Sequence, residues 1–292
     1  MPTLKDIEQS GEKRVDLMER ILADFDSRLR RAQDWLFDAL WEDVLKKIVV
    51  EGKVKTGLPS IRAVNTSPVW AAYYRRLRDE VTLWMVDVMG TKLTDSILSF
   101  FKLQVPASDL ETRTRAAANS LLTALGYDGA KFVEGGALHL LTYDTTAERK
   151  VKALAIAAVA SGRSLPAFKR DMLTIIKGDA GQLGIVERHF QTNANTAFAE
   201  FDRSLSGQLA EKYGMNYAIW SGPRMTTSRP FCLARKGKVF HRDEIMAMDK
   251  LKWQGKIPGQ STLLSAGGYN CSAILLWITD ELAPQQLAAQ NT

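Results

Sequence analysis

The side chains that could do chemistry are concentrated near the C-terminus of the chain. Both cysteines of the sequence, Cys232 and Cys271, lie there, and His241 lies between them. A zinc site could draw on all three, but their spacing contains no C-x-x-C or H-x₃₋₅-H pair, so a fourth ligand would have to come from elsewhere. We predict instead that the two sulfurs meet as a disulfide or as packed thiols, and a reducing cytoplasm favours the thiols.

Metal-independent cleavage of RNA is a second chemistry that this region could serve. The side chains that could gather for it are Arg229, Arg235, Lys238, His241 and Tyr269. His241 would act as the general acid or base, although no second acid–base partner is evident in the sequence. The alternative is that the cations decorate a hairpin and that His241 is simply exposed after its strand.

Other catalytic signatures are missing from the sequence. Its glycine-rich pieces match neither G-x-x-x-x-G-K-[ST] nor G-x-G-x-x-G in a strand-to-helix setting, so nucleotide binding has no support. Neither G-x-S-x-G nor H-E-x-x-H occurs. We therefore predict no cofactor, no metal site and no enzyme activity.

The residues around the cysteines predict a small α+β module. Residues 217–220 are an apolar run that predicts a strand ending at a turn. A hairpin follows Cys232, a short helix begins after it, and a glycine-rich loop leads to Cys271. The apolar run 273–278 predicts a second, buried strand. The module is therefore expected to contain a cysteine-bearing hairpin.

A long helix is predicted over residues 12–50, which contain neither Pro nor Gly. Its apolar residues recur at alternating steps of 4 and 3 over 18–39, which makes a heptad-like seam. The seam consists of Met18, Leu22, Phe25, Leu29, Ala32, Leu36 and Ala39. It could zip against another subunit and make a homo-oligomer, or it could be the core face of a bundle within one chain.

Two further segments complete the N-terminal region. Residues 52–68 contain two glycines and two prolines and predict a loop or an extended arm. A second long helix is predicted over 69–102, where Gly90 could kink or divide it. The aromatic stripe of this helix favours a core position over a platform for stacking bases.

The middle of the chain is expected to be helical as well. Capping residues and turns predict helices over 108–125, 147–160 and 164–176, and a helix over 182–213 leads into the C-terminal module. That last helix has one apolar side, while Asp202 and Arg203 belong to its polar faces. His139 stands among leucines, which favours a core histidine over a ligand.

The predicted fold is mainly α with a small C-terminal α+β module. We expect three consecutive regions: long helices over 1–105, a helical middle region over 106–180, and the α+β module over 181–292.

Composition narrows the class of protein. The net charge of +6 and the isoelectric point near 9.2 fit a protein that works near nucleic acid, but the cationic clusters are short and scattered. Solvated helix faces explain such clusters better than one DNA-binding groove. Two cysteines argue against a secreted disulfide scaffold. The polar N-terminus predicts no signal peptide, and no apolar run is long enough to span a membrane. We therefore expect folding in a cytoplasm.

Five short segments in a fixed order carry a resemblance to a known family. They are residues 189–197, 217–223, 228–232, 237–240 and 267–271. Together they resemble the phage Mu F-like minor head proteins, also called the head morphogenesis family. The matching positions are Asn193, Arg229, Pro230, Phe231, Gly237, Lys238, Gly268 and Tyr269, together with Cys232 and Cys271. The resemblance covers the C-terminal part of the chain, and the long N-terminal helices lie outside it.

The resemblance implies a virion protein present in few copies. Such proteins associate with the portal and the capsid interior during head assembly, and some are thought to bind DNA or to leave the head with it. The implied partners are the portal protein, the major capsid protein and double-stranded DNA bound without sequence preference. The implied location is the capsid interior or portal vertex, reached from the host cytoplasm.

One departure from the family pattern bears on chemistry. Family members often carry Arg-His after the second cysteine, whereas this chain has Ser272 and Ala273. A structural role for the module is therefore favoured over a metal or catalytic role. The alternatives are a nuclease or toxin-like effector built on the same module, and a host-side protein that binds nucleic acid.

Overall fold

The structure is a computed structural model that describes residues 3–43, 45–54, 57–179, 182–222 and 228–284. It is mainly helical, with a small sheet near the C-terminus, as the sequence predicts. No helix within these ranges combines the length and the apolar character needed to cross a membrane.

Helices account for most of the described chain. They are α1 (Leu4–Asp43), α2 (Leu58–Asn65), α3 (Val69–Arg76), α4 (Leu83–Val88), α5 (Thr94–Lys102), α6 (Leu110–Ala124), α7 (Ala137–Thr142), α8 (Thr146–Ser161), α9 (Leu165–Lys177), α10 (Ile185–Lys212), α11 (Pro230–Leu233), α12 (Arg242–Ala247) and α13 (Thr262–Ser265). The strands are β1 (Val49–Val50), β2 (Lys53–Val54), β3 (Gly178–Asp179), β4 (Gln182–Leu183), β5 (Tyr217–Ser221), β6 (Val239–His241) and β7 (Ile274–Ile278).

The described residues group into two compact units. One unit draws on Met1–Ala23, Met85–Gly136 and Thr192–Thr292, and the other draws on Asp24–Trp84 and Ala137–Gln191. Each unit is therefore assembled from segments that are distant in sequence. The three consecutive regions predicted from the sequence do not coincide with these units and remain a prediction.

Helix α1 begins eight residues before the predicted start at Glu12 because Thr3 caps it at Leu4. The Asp6 carboxylate accepts hydrogen bonds from the backbone N–H and the hydroxyl of Thr3, at 2.8 and 2.7 Å. Glycine is costly inside a helix, so Gly11 argued against this start. Its lack of a side chain leaves room for the Leu276 side chain of β7, which a Cβ at Gly11 would displace.

The same helix ends at Asp43 and not at the predicted Val50. A 3₁₀ turn, Leu45–Ile48, leads into β1, which pairs with β2 across a turn at Glu51 and Gly52. Both turn residues have positive φ, 49° and 74°, as a two-residue hairpin requires. The β-branched pair at the end of the predicted helix therefore forms a strand.

The heptad-like seam of α1 faces the protein's own chain. Five of its seven predicted members are at most 1 % exposed: Met18, Phe25, Leu29, Ala32 and Leu36. The alternative of an intramolecular core face is the one that the structure shows. A homo-oligomer zipped through this seam would need apolar side chains that are already buried.

The predicted loop or arm over 52–68 is wrong for most of its length, because it contains β2 and α2. Pro59 lies in the first turn of α2, where a proline is well tolerated because the N–H it lacks has no helical partner there. Pro59 is therefore compatible with the start of a helix, although glycines and prolines in a short segment also indicate a loop.

The second long helix spans the predicted residues 69–102 as α3, α4 and α5, joined by two π-helical segments, Leu77–Thr82 and Met89–Leu93. Gly90 lies in the second segment and does not divide the helix. Helices α6, α8 and α9 agree with the predicted middle helices, and α7 was not predicted. His139 lies on α7, half-buried against Tyr143 with ring centroids 4.7 Å apart.

The C-terminal sheet has the order β6–β5–β7, and both pairings are antiparallel. Every residue of β7 is buried, which agrees with the predicted buried strand. Gln104 contacts the outer edge of the sheet at the end of β7, because its amide donates to the Trp277 carbonyl at 3.1 Å and accepts from the Thr279 N–H at 3.3 Å. These two backbone groups are therefore not available to pair with a further strand.

Candidate functional site

The two cysteines meet at one end of the C-terminal sheet. Cys232 lies on the single-turn helix α11, and Cys271 lies in the turn that leads into β7. Their Sγ atoms are 3.6 Å apart, and both thiols are free. The two sulfurs therefore lie in contact, and the choice between packed thiols and a disulfide stays a prediction. The predicted cysteine-bearing hairpin is not confirmed, because neither cysteine lies on β5 or β6, the antiparallel neighbours.

The turn before Cys271 is shaped by two glycines. A Cβ on Gly267 would overlap the Sγ atom of Cys232 and lie 2.9 Å from that of Cys271. Gly268 has φ +96°, and a Cβ there would clash with the Gly255 carbonyl. Only glycine meets both demands without strain. Because Gly267 is bare, its N–H can donate to the Cys271 Sγ atom at 3.3 Å.

Arg203, on α10, holds this turn from beneath and is only 2 % exposed. Its Nη1 atom donates to the carbonyls of Cys271 and Ala273, at 3.2 and 2.5 Å, and its Nε atom donates to the Leu264 carbonyl. The guanidinium thus joins α13, the cysteine turn and the start of β7. The sequence assigned Arg203 to a polar helix face, which was wrong because the face covers a buried loop and not solvent.

The surroundings of the two thiols shift their pKa values in opposite directions. A hydrogen bond from Cys232 lowers the pKa of Cys271 to about 5, and the positive charge of Arg203 and the Gly267 N–H act in the same direction. Burial opposes this shift. The pKa of Cys232 moves upward, because its proton is held by Cys271 and because it is partly buried. The negative charge of the pair therefore rests on Cys271, beside the guanidinium.

Arg229 ties α11 to the same turn. Its guanidinium donates to the carbonyls of Tyr269 at 2.7 Å and Gly267 at 3.5 Å. Gly255 must be bare beside it, since a Cβ there would lie 2.5 Å from the Arg229 Nε atom. The Arg229 guanidinium, which could have bound a phosphate in RNA cleavage, thus donates its hydrogen bonds to backbone carbonyls.

An aromatic stack supports α11 from the other side. Phe231 stacks on Trp253 with ring centroids 3.8 Å apart and planes within 11°. The Arg235 guanidinium lies 3.6 Å from the Phe231 centroid, so both faces of that ring are covered. The Trp253 indole N–H donates to the Gly267 carbonyl at 2.9 Å. These rings are therefore structural supports with no open face for a base.

Helix α10 makes a further contact with the cysteine turn. The Asn195 amide donates to the Asn270 side-chain oxygen at 2.7 Å, and the Asn270 N–H donates to the Thr196 hydroxyl at 3.1 Å. Asn193, one of the positions on which the resemblance rests, is exposed on the same helix. The side chains that contact the turn are those two and three positions later.

Gly237 and Lys238 shape the entry to β6. The Gly237 N–H donates to the Trp220 carbonyl at 2.8 Å, and the Trp220 N–H donates to the Lys238 carbonyl at 2.9 Å. Pro230 occupies the first turn of α11, where it presets the helical backbone. These motif residues therefore act through the backbone.

A small cleft, with about 50 Å³ of enclosed volume, opens over the sulfurs. Its walls include Cys232 and Cys271, the cations Arg229 and Lys236, and the polar residues Ser228 and Asn270. No carboxylate is among the described residues that line it. The cleft is thus positively charged, with the thiol pair at its base.

His241 lies away from this cleft and caps a helix. Its backbone pairs with Tyr217 at the far end of β5, while Trp220 and Ser221 line the cleft. Four residues of strand separate the two places by about 13 Å. The His241 Nδ1 atom accepts from the Asp243 N–H at 3.2 Å, and the Glu244 carboxylate accepts from the His241 N–H at 2.7 Å. The structure therefore does not bring His241 to the thiols.

Replacing His241 with alanine is expected to affect stability and not chemistry. The His241→Ala variant loses one half of the capping box of α12, which costs about 1 kcal/mol, as with other capping side chains. Urea unfolding measures the loss, and incubation with RNA and DNA tests for cleavage. Nuclease activity in the wild type that disappears in a folded His241→Ala variant would contradict the expectation that His241 has no chemical role and revive the nuclease alternative.

The described residues contain no candidate metal site. Across the described residues, no group of three His, Cys, Asp or Glu side chains comes close enough to hold a metal ion. The zinc alternative would combine the cysteine pair with His241, which the sheet holds at its other end.

Comparison of the chain with known protein families, with curated proteins and with solved structures gives no match.

Proposed function

We propose that this chain is a structural protein of a tailed-phage head, of the Mu F-like minor head type, and not an enzyme. The observation that supports this most is the internal engagement of the motif residues. Arg229 binds the carbonyls of Gly267 and Tyr269, Phe231 stacks on Trp253, and Gly268 admits a close backbone approach. Side chains committed in this way hold a module together and are not free to act on a substrate.

The proposal includes a location and partners. The protein would be a low-copy component of the portal vertex or capsid interior, assembled in the host cytoplasm with the portal protein and the major capsid protein. The net charge of +6 would support contact with packaged double-stranded DNA without sequence preference. Such contact would weaken steeply as the salt concentration rises, because it depends on released counterions.

Mass spectrometry of purified phage particles tests the proposal. We expect peptides of this chain in particles separated by density, at a copy number far below that of the major capsid protein. A matched preparation of empty heads would show whether the chain enters before or with the DNA. Absence of the chain from both kinds of particle would overturn the proposal.

A further inference from the structure

We propose that Cys232 and Cys271 form a redox-active pair that closes to a disulfide by exchange with a small anionic disulfide, of the glutathione disulfide class, whose sulfurs enter the cleft above them. This inference does not depend on the proposed head function. It rests on the distance between the sulfurs, on their unequal exposure, and on the charge of the cleft.

The sulfurs are placed for bond formation. Their separation of 3.6 Å leaves only a short approach to bonding distance. The bare Gly267 beside them gives the turn no side chain that would have to move. Closure would join α11 to the turn before β7, two elements that Arg229 already ties together through the Tyr269 carbonyl.

The two thiols differ in access. Cys232 is half-buried on the cleft wall, whereas Cys271 is only 6 % exposed. A reagent therefore reaches Cys232 first. Cys271 carries the negative charge of the pair and lies behind Cys232, which suits it to attack a disulfide formed there.

The cleft suits an anionic reagent. Its enclosed volume is only about 50 Å³, so it would admit the sulfur end of a reagent while the rest of the molecule stays outside. Arg229 and Lys236 give its walls positive charge, and the described lining residues include no carboxylate. A peptide-like disulfide with free carboxylates would therefore be attracted more strongly than a neutral disulfide.

The exchange takes two steps, in which atoms and electrons are conserved. In the first step Cys232 passes its proton to Cys271, and the Cys232 sulfur attacks one sulfur of the reagent. The reagent's S–S bond breaks, and one half of the reagent leaves as a thiolate that takes a proton from water. Cys271 then releases its proton to water and attacks the Cys232 sulfur, which expels the second half as a thiolate. The protein thiols lose two electrons, and the reagent's disulfide gains them.

Intact-mass spectrometry of the full chain tests the proposal. The reduced protein is incubated without oxygen with glutathione disulfide, and the product is mapped by non-reducing proteolysis. We expect the wild type to lose two hydrogens and to form the Cys232–Cys271 bond without a lasting adduct. Cys271→Ser should instead accumulate a glutathione adduct on Cys232, and Cys232→Ser should react slowly because Cys271 is buried. A folded wild type that keeps both thiols, or keeps an adduct without closing, would overturn the pair's assignment.

A second variant tests the charge of the cleft. Lys236→Gln should slow exchange with glutathione disulfide several-fold relative to exchange with neutral hydroxyethyl disulfide. The ratio of the two rates cancels general effects of the substitution on the fold. An unchanged ratio would remove the anionic class from the proposal, and a fall in the ratio would support it.

Discussion

Replacing Asp202 with alanine is expected to destabilise the protein by about 3 to 5 kcal/mol, since it leaves a buried charge unpaired. Asp202 and Arg14 are about 3 % and 2 % exposed, and the Arg14 Nη2 atom donates to both carboxylate oxygens at 2.9 and 2.8 Å. The same nitrogen donates to the Ser206 hydroxyl at 2.9 Å. Urea unfolding followed by circular dichroism measures the loss.

Arg14 depends heavily on this one partner. Among the described residues, its Nε and Nη1 atoms are buried and have no hydrogen-bond partner. The guanidinium also lies 5.1 Å from the ring centroid of Phe100, which attracts it more weakly than a carboxylate does. Without Asp202, most of the cost of burying the cation would therefore be unopposed.

Two variants separate the lost ion pair from lost packing. A double variant, Arg14→Met with Asp202→Leu, removes both charges and should recover most of the stability. Glu111→Ala breaks the exposed pairs that Glu111 makes with Lys102 and Arg115 and should change stability little, because solvent screens both pairs. If Asp202→Ala were no more costly than Glu111→Ala, the buried pair would not have the role assigned to it.

The helical outline of the chain could be predicted from the sequence because it follows from apolar spacing. The seam from Met18 to Leu36, the stripe after Val69 and the run in β7 all bury the residues that the pattern selects. Periodicity reports which face of a helix is apolar, and burial then follows. It does not report whether the partner is the same chain, so only the structure decided that question for the seam.

The errors at the starts of α1 and α2 have different physical causes. Pro59 lies in the first turn of α2, where a proline is tolerated for a local reason, whereas Gly11 lies inside α1. The room that Gly11 leaves is filled by the Leu276 side chain, more than 200 residues away in sequence. Intrinsic propensity is overridden where tertiary packing needs a small residue. Such a contact leaves no local signal.

The sequence indicated that the two cysteines could meet, but not which side chains would surround them. The ordered motif includes the turn before β7, and the cysteines lie in contact there. Arg203 was missed, since a charged residue on a long helix ordinarily faces solvent. Its neighbour Asp202 was missed for the same reason, although the two side chains serve different loops and helices. The residues three and four positions from each of them along the helix, among them Phe198, Ala199 and Leu205, are mostly apolar or small, and this is the signal that could have found them.

Asp202 and Arg203, adjacent on α10, hold different segments of their unit. Asp202 holds the N-terminal part of α1 through Arg14, and Arg203 holds the cysteine turn through three carbonyls. One helix thus anchors the sequence-distant segments that the unit combines. Loss of either side chain should therefore lower the stability of the whole unit. Loss of Arg203 should in addition change the pKa of the thiols.

Replacing Arg203 with methionine is expected to cost about 3 kcal/mol or more, because three buried carbonyls lose their donor. Methionine fills much of the same volume, so the loss reports the hydrogen bonds more than a cavity. The relief of an expensive buried cation makes the cost smaller than the sum of three separate bonds. Gln208→Met, at an exposed site on the same helix, is the matched control and should stay within about 0.5 kcal/mol of the wild type.

The thiols provide a readout that stability alone does not. With Arg203 gone, the Cys271 turn loses the guanidinium that orients its carbonyl and favours its thiolate. Titration of thiol reactivity with a small alkylating reagent should then show an upward shift in the pKa of the more acidic thiol, measured under conditions where the variant is folded. Arg203→Lys keeps the positive charge but not the three-carbonyl geometry, so it should retain more of the acidic thiol than of the stability. An Arg203→Met protein with wild-type stability and an unchanged thiol pKa would show that the guanidinium supports neither the turn nor the pair.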